Sequence, residues 1–548
     1  MGFYLSPSVN VLEQDLSLIA PAVATSIAGY VTRAKKGPVW NRTLITNEND
    51  LVEIFGAPDS DTYEHFFSMA GYLDQGNTLY VVRAVDSATA QNGCFLATSA
   101  AVVTSGATYI ADYTHYVPTF GSEVFQIFSK YPGAFYDYNE AITIINYTDW
   151  SAGTGQTSAY LNTVSYGPSS SDEYLILVKE KQSDGTYSLV ENYIVSTSAG
   201  KLDANGDNMF VETRVNPASE RIVIFYNTNS NGIAASCYEQ TTSGGADGTY
   251  LDGDLVTGYD MFLNPEDVDV NILFDGANCS SIDAQKEIIS ICESRMDCFG
   301  LINVPKAAVV NVSDAATQYS NCLTFRNTTL SSDTNYAALY NNWHLIADKY
   351  NSVDRWVPYT GFVAGAFAYN DQVGEAWFAP AGDRRGRIKR TKQIAFSADR
   401  GYRDLLFKNG INPIVKFPGE DAEIFGDKTL QMKPSAFDQI GVRRLFIVME
   451  KSIATAARYF IFEQNDDYTR RELKNTCTPF LADIKARRGI EDFIVITDAT
   501  VNTPARVSRN ELWCAIWVKP IYSSRYVVLQ FNAVKPGVSF EELLAQAA

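Results

Sequence analysis

VDVNILFDGANCSSIDAQKEIISICESRMDCFGLINV, residues 268–304, contains two apolar runs separated by a turn and a segment of helical spacing. The runs Val268–Phe274 and Gly300–Val304 have the length and composition of buried strands. Between them, apolar side chains recur at helical spacing from Ser281 to Met296. A strand, a helix and a second strand in this order indicate a βαβ unit, so we expect an α/β core.

The N-terminal stretch shows a similar alternation. The sequence predicts a strand at Ala22–Thr32, helices at Thr46–Phe55 and Asp61–Asp74, and a second strand at Thr78–Ala84. Residues 1–20 have strand-like character but little to bury them locally, so we expect an extended arm.

The C-terminal stretch predicts two long helices followed by strands. The helices are Val442–Phe462 and Asp467–Arg488, and a strand follows at Asp492–Asp498. Two further predicted strands have the sequences LWCAIWVKP (512–520) and YVVLQFNAV (526–534). A short helix is predicted after them, because its sequence carries a capping box.

The middle of the chain differs in composition and charge. It is rich in Ser, Thr, Gly and Tyr, with short β-like runs such as EYLILVKE and RIVIFYNT. Residues 101–280 carry 23 acidic and 6 basic residues, whereas residues 381–548 carry 20 acidic and 27 basic residues. We therefore expect an acidic, mainly β insertion and a separate, basic C-terminal part.

The predicted fold class is a multidomain α/β (α+β) protein, in which N- and C-terminal parts form an α/β core around the mainly β insertion. The predicted divisions are an N-terminal arm (1–20), the first part of the core (21–92), the insertion (93–257), a further α/β part (258–355), a C-terminal domain (356–520), and a C-terminal strand and arm (521–548).

Catalytic and metal-binding patterns are absent from the sequence. The eight cysteines include no CxxC pair, the three histidines are far apart, and no GxSxG, HExxH or GxGxxG occurs. Residues 419–429 differ from a phosphate-binding loop, since six residues separate the glycines and Asp427 precedes the lysine. His344 and Asp348 are interpreted as an exposed pair on one helical turn. We expect a protein that is not an enzyme and uses no metal or cofactor.

Charge and hydropathy restrict the possible partners. The net charge of −19 argues against nucleic-acid binding. The early sequence lacks the basic start of a signal peptide, and Leu18–Val31 is too short and too rich in small residues to span a bilayer. We therefore expect no direct membrane insertion. The basic run from Arg384 to Lys392 is either a solvated loop or a docking surface for an acidic partner.

Several segments resemble contractile tail sheath proteins of bacteriophages, and the similarity is closest to the T-even type. They lie in the order that the family has, and they cover about half of the chain. The segments are PAVATSIAGYVTRAKKGPVWNRTLITNENDLVEIFG (21–56), NTLYVVRAVD (77–86), VPYTGFVAGAFAYNDQVGEAWFAPAG (357–382), RDLLFKNGINPIVKFPGEDAEIFGDKTL (403–430), GVRRLFIVMEKSIATAARYFIFEQND (441–466) and ELWCAIWVKPIYSSRYVVLQFNAV (511–534).

The resemblance implies a role in assembly. Sheath subunits of this family polymerise as stacked six-membered rings around a tail tube, between a baseplate and tail terminator or neck proteins. Contraction then drives the tube through the host envelope without a cofactor, and the virion is assembled in the host cytoplasm. Two alternatives stay open: a receptor- or carbohydrate-binding tail protein, and the sheath of a related contractile injection system.

Two sets of residues are candidates for contacts between subunits. By β-augmentation, strands near both termini are expected to join sheets of neighbouring subunits, as terminal arms do in the family. These residues are Ser8, Val9, Asn10, Val11, Leu12, Tyr526, Val527, Val528, Leu529, Gln530 and Phe531. The candidates for tube or neighbour contacts are Arg443, Arg444, Arg487 and Arg488. The basic C-terminal part is expected to face the tube, and the acidic insertion is expected to face outward.

Overall fold

A computed structural model describes residues 24–98, 102–103, 108–161, 164, 166–182, 184–230, 232–276 and 282–526. The predicted N-terminal arm and most of the predicted C-terminal arm lie outside these residues. The expectations for both arms therefore remain predictions.

The first part of the core contains the two predicted helices and both predicted strands. Its elements are β1 (Ala28–Thr32), β2 (Thr43–Ile45), α1 (Glu48–Phe55), α2 (Tyr63–Leu73) and β3 (Leu79–Arg83). The side chain of Asn47 accepts a hydrogen bond from the Asp50 amide and so caps α1. The short strand β2 was not predicted, since three residues are too few to show a period.

The insertion follows β3. Its helices and strands are β4 (Cys94–Thr98), β5 (Val102–Val103), β6 (Glu123–Ser129), β7 (Glu140–Asn146), α3 (Tyr147–Ala152), α4 (Ser158–Leu161), β8 (Glu173–Lys181), β9 (Tyr187–Ser196), α5 (Val211–Val215), β10 (Ile222–Tyr226) and β11 (Cys237–Thr241).

The chain then returns to the core. The elements up to the end of the core are α6 (Asp252–Asp260), β12 (Ile272–Phe274), α7 (Asp283–Arg295), β13 (Phe299–Asn303), α8 (Lys306–Val309), α9 (Ala315–Thr324), β14 (Ala337–Tyr340), β15 (Trp343–Asp348), β16 (Val353–Pro358), α10 (Thr360–Val373), β17 (Arg387–Ile388), β18 (Gln393–Ile394), α11 (Arg400–Lys408), β19 (Ile411–Asn412), β20 (Ile414–Lys416) and β21 (Ala422–Ile424). The remaining elements are α12 (Ile440–Ala457), α13 (Asp467–Ala486), β22 (Ile490–Ile496), α14 (Pro504–Val507) and β23 (Ala515–Pro520).

A seven-stranded sheet forms the centre of the core. Its strand order is β19-β14-β13-β12-β1-β3-β2, and every pairing is parallel except that of β2 with β3. Side chains of α2 and α10 contribute to the apolar cluster on one face, and those of α6 and α7 to the cluster on the other. This arrangement confirms the predicted α/β core, in which residues 268–304 supply the central strands β12 and β13.

The helices α2 and α10 approach each other at glycines. A Cβ atom at Gly361 would lie 1.9 Å from the carbonyl oxygen of Ser68, and one at Gly365 would lie 2.8 Å from that of Gly71. Only glycine permits this separation, because a larger side chain would push the two backbones apart. The close contact joins α10, late in the chain, to the N-terminal part of the core.

The insertion consists mainly of two antiparallel sheets. Their orders are β10-β6-β4-β5 and β11-β7-β8-β9, and side chains from both sheets form one apolar core. This confirms the mainly β prediction. The insertion was expected to end at residue 257, a position inside α6. Leu255 and Tyr259 of α6 pack in the apolar cluster on the α6 and α7 face of the central sheet.

The interpretation of His344 and Asp348 as an exposed helical pair was wrong. Both residues lie in β15, which pairs with β16, and both are buried. The imidazole of His344 stacks on Tyr359, with ring centroids 4.1 Å apart. Burial lowers the pKa of His344 to about 3, so the side chain is neutral at ordinary pH.

A buried carboxyl group makes the stability of the core depend on pH. Asp275 follows β12, and its Oδ2 accepts hydrogen bonds from the Asn303 amide at 3.1 Å and from Gln285. Burial raises the pKa of Asp275 to about 7. Because this value exceeds that of the unfolded chain, ionisation of Asp275 costs stability as the pH rises from about 4 to about 7.

We expect Asp275→Asn to stabilise the protein more at pH 8 than at pH 5, relative to the native chain. The upper limit for this difference is about 3 kcal/mol, because about two pH units separate pH 5 from the raised pKa of about 7 and each unit corresponds to about 1.4 kcal/mol. Thermal unfolding of both proteins at the two pH values measures the difference. An effect of the amide that does not depend on pH is the same at both pH values and cancels in this comparison. An equal change in stability at pH 5 and pH 8 would therefore contradict the raised pKa of Asp275.

Candidate assembly interface

The C-terminal helices and strands form a unit with its own apolar core. The helices α12 and α13 pack against one face of the β22–β23 sheet. The buried side chains of this core are Trp377, Leu445, Met449, Phe460, Leu473, Cys477, Leu481, Ile484, Ile490 and Val495. These helices therefore leave the outer face of the sheet uncovered.

The β22–β23 sheet is antiparallel and has two strands, with Ile494 opposite Trp517. These two side chains lie on the outer face, and they are 58% and 68% exposed. No other strand in the described part of the chain pairs with either outer edge. Unpaired strand edges beside an apolar surface are sites at which another extended segment can add.

A second candidate surface is a large cleft, which we call the arginine cleft. It has a volume of about 1110 Å³ and lies between the end of α10, the loop after it, α11 and residues 521–526. Its aromatic side chains include Trp377, Phe378, Phe407 and Phe425. Its basic side chains are Arg384, Arg385, Arg400, Arg403, Arg488 and Arg525.

Most of these arginines lack an acidic partner. Arg525 pairs with Asp427 at 2.9 Å, but none of the other five lies within 4.0 Å of a carboxylate of the described residues. Burial, and then repulsion by Arg384 and Arg488, lowers the pKa of Arg385 from its ordinary value. The lining also includes Asp404 and Asp427, so the cleft combines aromatic surface with a net positive charge.

The basic run from Arg384 to Lys392 divides between two environments. Arg387, Arg390 and Lys392 form ion pairs with Asp383, Asp74 and Asp354, respectively. Arg384 and Arg385 lie in the cleft instead. The docking interpretation thus applies, at most, to the start of the run.

Arg443 and Arg444 lie on α12 and are buried, with 4% of each residue exposed. Arg444 forms a bidentate ion pair with Asp371 at 2.6 and 2.9 Å, and its guanidinium also donates to the carbonyl oxygens of Ala376 and Thr25. Arg443 pairs with Glu450 at 2.9 Å. Both arginines are therefore engaged within the chain, and their contact with a tube or neighbour stays a prediction.

The other predicted contact residues are more accessible. Arg487 and Arg488 are exposed at the end of α13, where Arg487 pairs with Glu375 and Asp483 and Arg488 lines the cleft. Tyr526 is exposed at the cleft and lies in no strand. The ten other predicted strand-exchange residues, 8–12 and 527–531, lie outside the described residues.

Sequence reasoning missed the cleft, because its lining comes from segments far apart in the chain. It also missed the exposed Ile494 and Trp517. Phe493–Ile496 and Ala515–Val518 are wholly apolar runs, so the sequence contains no alternation that would indicate which face of the sheet is covered.

Comparison with known proteins identifies the family. A family model for the phage tail sheath protein central domain matches residues 249–430, and one for the phage tail sheath C-terminal domain matches residues 432–533. The tail sheath protein of Vibrio phage KVP40 is 28% identical, over 98% of this chain and 99% of that protein. The tail sheath protein of Enterobacteria phage T4 is 27% identical, over 99% of each chain.

The chain belongs to the phage tail sheath family. It is a structural subunit of a contractile tail sheath. The fold is also similar to that of the contracted PVC sheath complex, an extracellular contractile injection system. That similarity has a TM-score of 0.52 at 13% identity and covers 99% of this chain and 100% of the other.

Both candidate surfaces of this sheath protein lie within the matched ranges. The central-domain range includes α11 and most of the lining of the arginine cleft, and the C-terminal range includes the β22–β23 sheet. The sheets of the insertion precede both ranges. The described residues contain no cluster of three or more metal-binding side chains. No helix within the described ranges is both long and apolar enough to cross a bilayer.

The buried position of Arg444 predicts a defect in folding when its charge partner is lost. We expect Arg444→Met to destabilise the sheath subunit by about 3–5 kcal/mol, because it leaves Asp371 buried and unpaired. Arg444→Met combined with Asp371→Leu should recover part of this loss. Thermal unfolding of the unassembled chain measures both effects. Unchanged stability of the single variant, together with failure to assemble on tubes, would instead assign Arg444 to an intermolecular contact.

Proposed function

We propose that this subunit polymerises as stacked six-membered rings around a tail tube, and that the assembled sheath contracts on a signal from the baseplate to drive the tube through the host envelope. The observation that carries the proposal is the β22–β23 sheet, whose two outer edges and apolar outer face have no partner among the described residues. A subunit that remained alone would leave this surface in water.

The arms are the proposed partners of these edges. Residues 8–12 and 526–531 are extended-type sequences, and they add to a neighbour's β22–β23 sheet by main-chain hydrogen bonding. Such ladders depend little on side-chain detail. They hold neighbouring subunits together while the subunit bodies move between two packings.

Charge sets the proposed orientation. The basic C-terminal part faces the tube and the acidic insertion faces outward, so that unlike surfaces meet in the polymer. Arg487 and Arg488 are the proposed tube or neighbour contacts on this side, because both are exposed. Contraction consumes no cofactor in this scheme, since the energy is stored when the metastable extended form assembles around the tube. Assembly takes place in the host cytoplasm, with baseplate and terminator or neck proteins at the two ends.

The purified chain at high concentration should form hollow cylinders of uniform width with six-fold end views. Negative-stain electron microscopy tests this directly. Cylinders formed without a tube are expected to be contracted, because no template holds the extended form. Small particles that stay small when tail tubes and baseplates are added would favour the receptor- or carbohydrate-binding alternative.

Removal of residues 1–15 tests the role of the N-terminal arm. These residues precede the described structure, so we expect a truncated chain that folds with an unchanged unfolding temperature and does not form long cylinders. Light scattering and electron microscopy at matched concentrations give the comparison. Cylinder formation equal to that of the full chain would exclude a linking role for this arm.

A further inference from the structure

The loop between α12 and α13 carries an unusual group of exposed apolar side chains. We call residues 458–468 the aromatic loop; they comprise this loop and the first two residues of α13. They expose Tyr459, Ile461, Phe462 and Tyr468. Phe462 is 99% exposed and has a φ of 71°. A bulky residue other than glycine is rare at positive φ, and such strain is concentrated at functional positions.

The aromatic loop is held at its base. Phe460 is buried in the C-terminal core. Asn465 donates from Nδ2 to the Glu511 carbonyl oxygen at 2.9 Å and accepts at its own carbonyl oxygen from Arg470 at 3.2 Å. The exposed position of Phe462 is therefore built into the structure.

The aromatic loop is also acidic. Glu463, Asp466 and Asp467 are all exposed, and Arg458 is the one basic residue among residues 458–468. Asp467 pairs with Arg470 at 3.2 Å. Asp466 caps α13 by accepting from the Thr469 amide at 2.8 Å. Apolar groups beside carboxylates match the chemistry of the arginine cleft, which offers aromatic side chains beside guanidinium groups, five of which have no carboxylate of the described residues within 4.0 Å.

The aromatic loop and the arginine cleft lie at opposite ends of α13. The loop leads into the N-terminus of this 20-residue helix, and Arg488 of the cleft follows its C-terminus. A helix of this length is roughly 30 Å long. The loop therefore cannot reach the cleft of its own chain, and a match between them has to join two chains.

We propose that the aromatic loop of one subunit inserts into the arginine cleft of a second copy of this chain. Phe462 and Ile461 pack on the aromatic lining, and Glu463 approaches the guanidinium groups at the rim. The contact is head to tail, since two different surfaces meet, and such contacts close into rings or extend into open helical polymers. This inference rests on the self-assembly proposed above, and it names one contact that would hold neighbouring subunits together in the assembly.

The apolar part of the contact is tested with Phe462→Gly. Glycine accepts the positive φ, so the isolated subunit keeps its stability or gains some, whereas the aromatic anchor is lost. We expect the critical concentration for cylinder formation to rise about tenfold or more. Tyr138→Gly is the matched control, because Tyr138 is also an exposed aromatic residue at positive φ, in the insertion. The control should assemble as the native chain does.

The charged part is tested by a charge exchange between Glu463 and Arg400. Both residues are exposed, and an acidic residue is well tolerated at position 400 because it begins α11. Glu463→Arg and Arg400→Glu should each raise the critical concentration, since each places like charges together. The double variant restores the attraction and should return close to the native value.

The outcomes separate this contact from the general function. If the native chain forms cylinders and Phe462→Gly forms them at the same concentration, the loop–cleft contact is wrong while the sheath proposal stands. If Arg400→Glu impairs assembly but the double variant does not recover, the cleft binds another acidic segment, such as the chain's own C-terminus or the tube, and the inference is overturned. A native chain that never associates overturns both.

Discussion

The buried ion pair between Arg444 and Asp371 is the interaction on which the arrangement of this subunit depends. It joins α12 of the C-terminal unit to α10 of the sheet core, and Arg444 also binds the carbonyl oxygen of Thr25. Two charges out of water are stable only when each satisfies the other. Their geometry therefore fixes how the surfaces of the C-terminal unit are presented relative to the core and to the start of the described chain.

This internal rigidity contrasts with the surfaces that remain open. The core around β12 and β13 is closed on both faces, whereas no described strand pairs with the edges of the β22–β23 sheet and the arginine cleft keeps a net positive charge. In the proposed contraction, the subunit moves as a body while its contacts with neighbours change. The subunit has closed apolar packing inside and polar and edge-strand contacts outside. This arrangement suits such movement, because exchanging the outer contacts costs less free energy than disrupting a continuous apolar core.

Sequence patterns predicted the structure correctly where the spacing of apolar residues along the chain matched the side chains that are buried. Residues 268–304 predicted their strand, helix and strand, and the capped helix α1 ended at the predicted Phe55. His344 and Asp348 show the limit, since a spacing of four residues fits a helical turn and also occurs in a strand. Arg443 and Arg444 show the same limit for function, because a pair of arginines on a helix does not indicate whether their partners lie within the chain.

The sequence by itself determined the α/β core, the mainly β insertion, the charge division and the similarity to tail sheath proteins, because periodicity, composition and motif order are local properties of the chain. Only the tertiary structure decided which arginines are buried, which sheet edges have no partner among the described residues, and that the arginine cleft and the aromatic loop lie at opposite ends of α13. These features arise when segments such as residues 369–427 and 488–526 come together in space. Burial and unsatisfied charge are properties of that three-dimensional environment, which no local pattern contains.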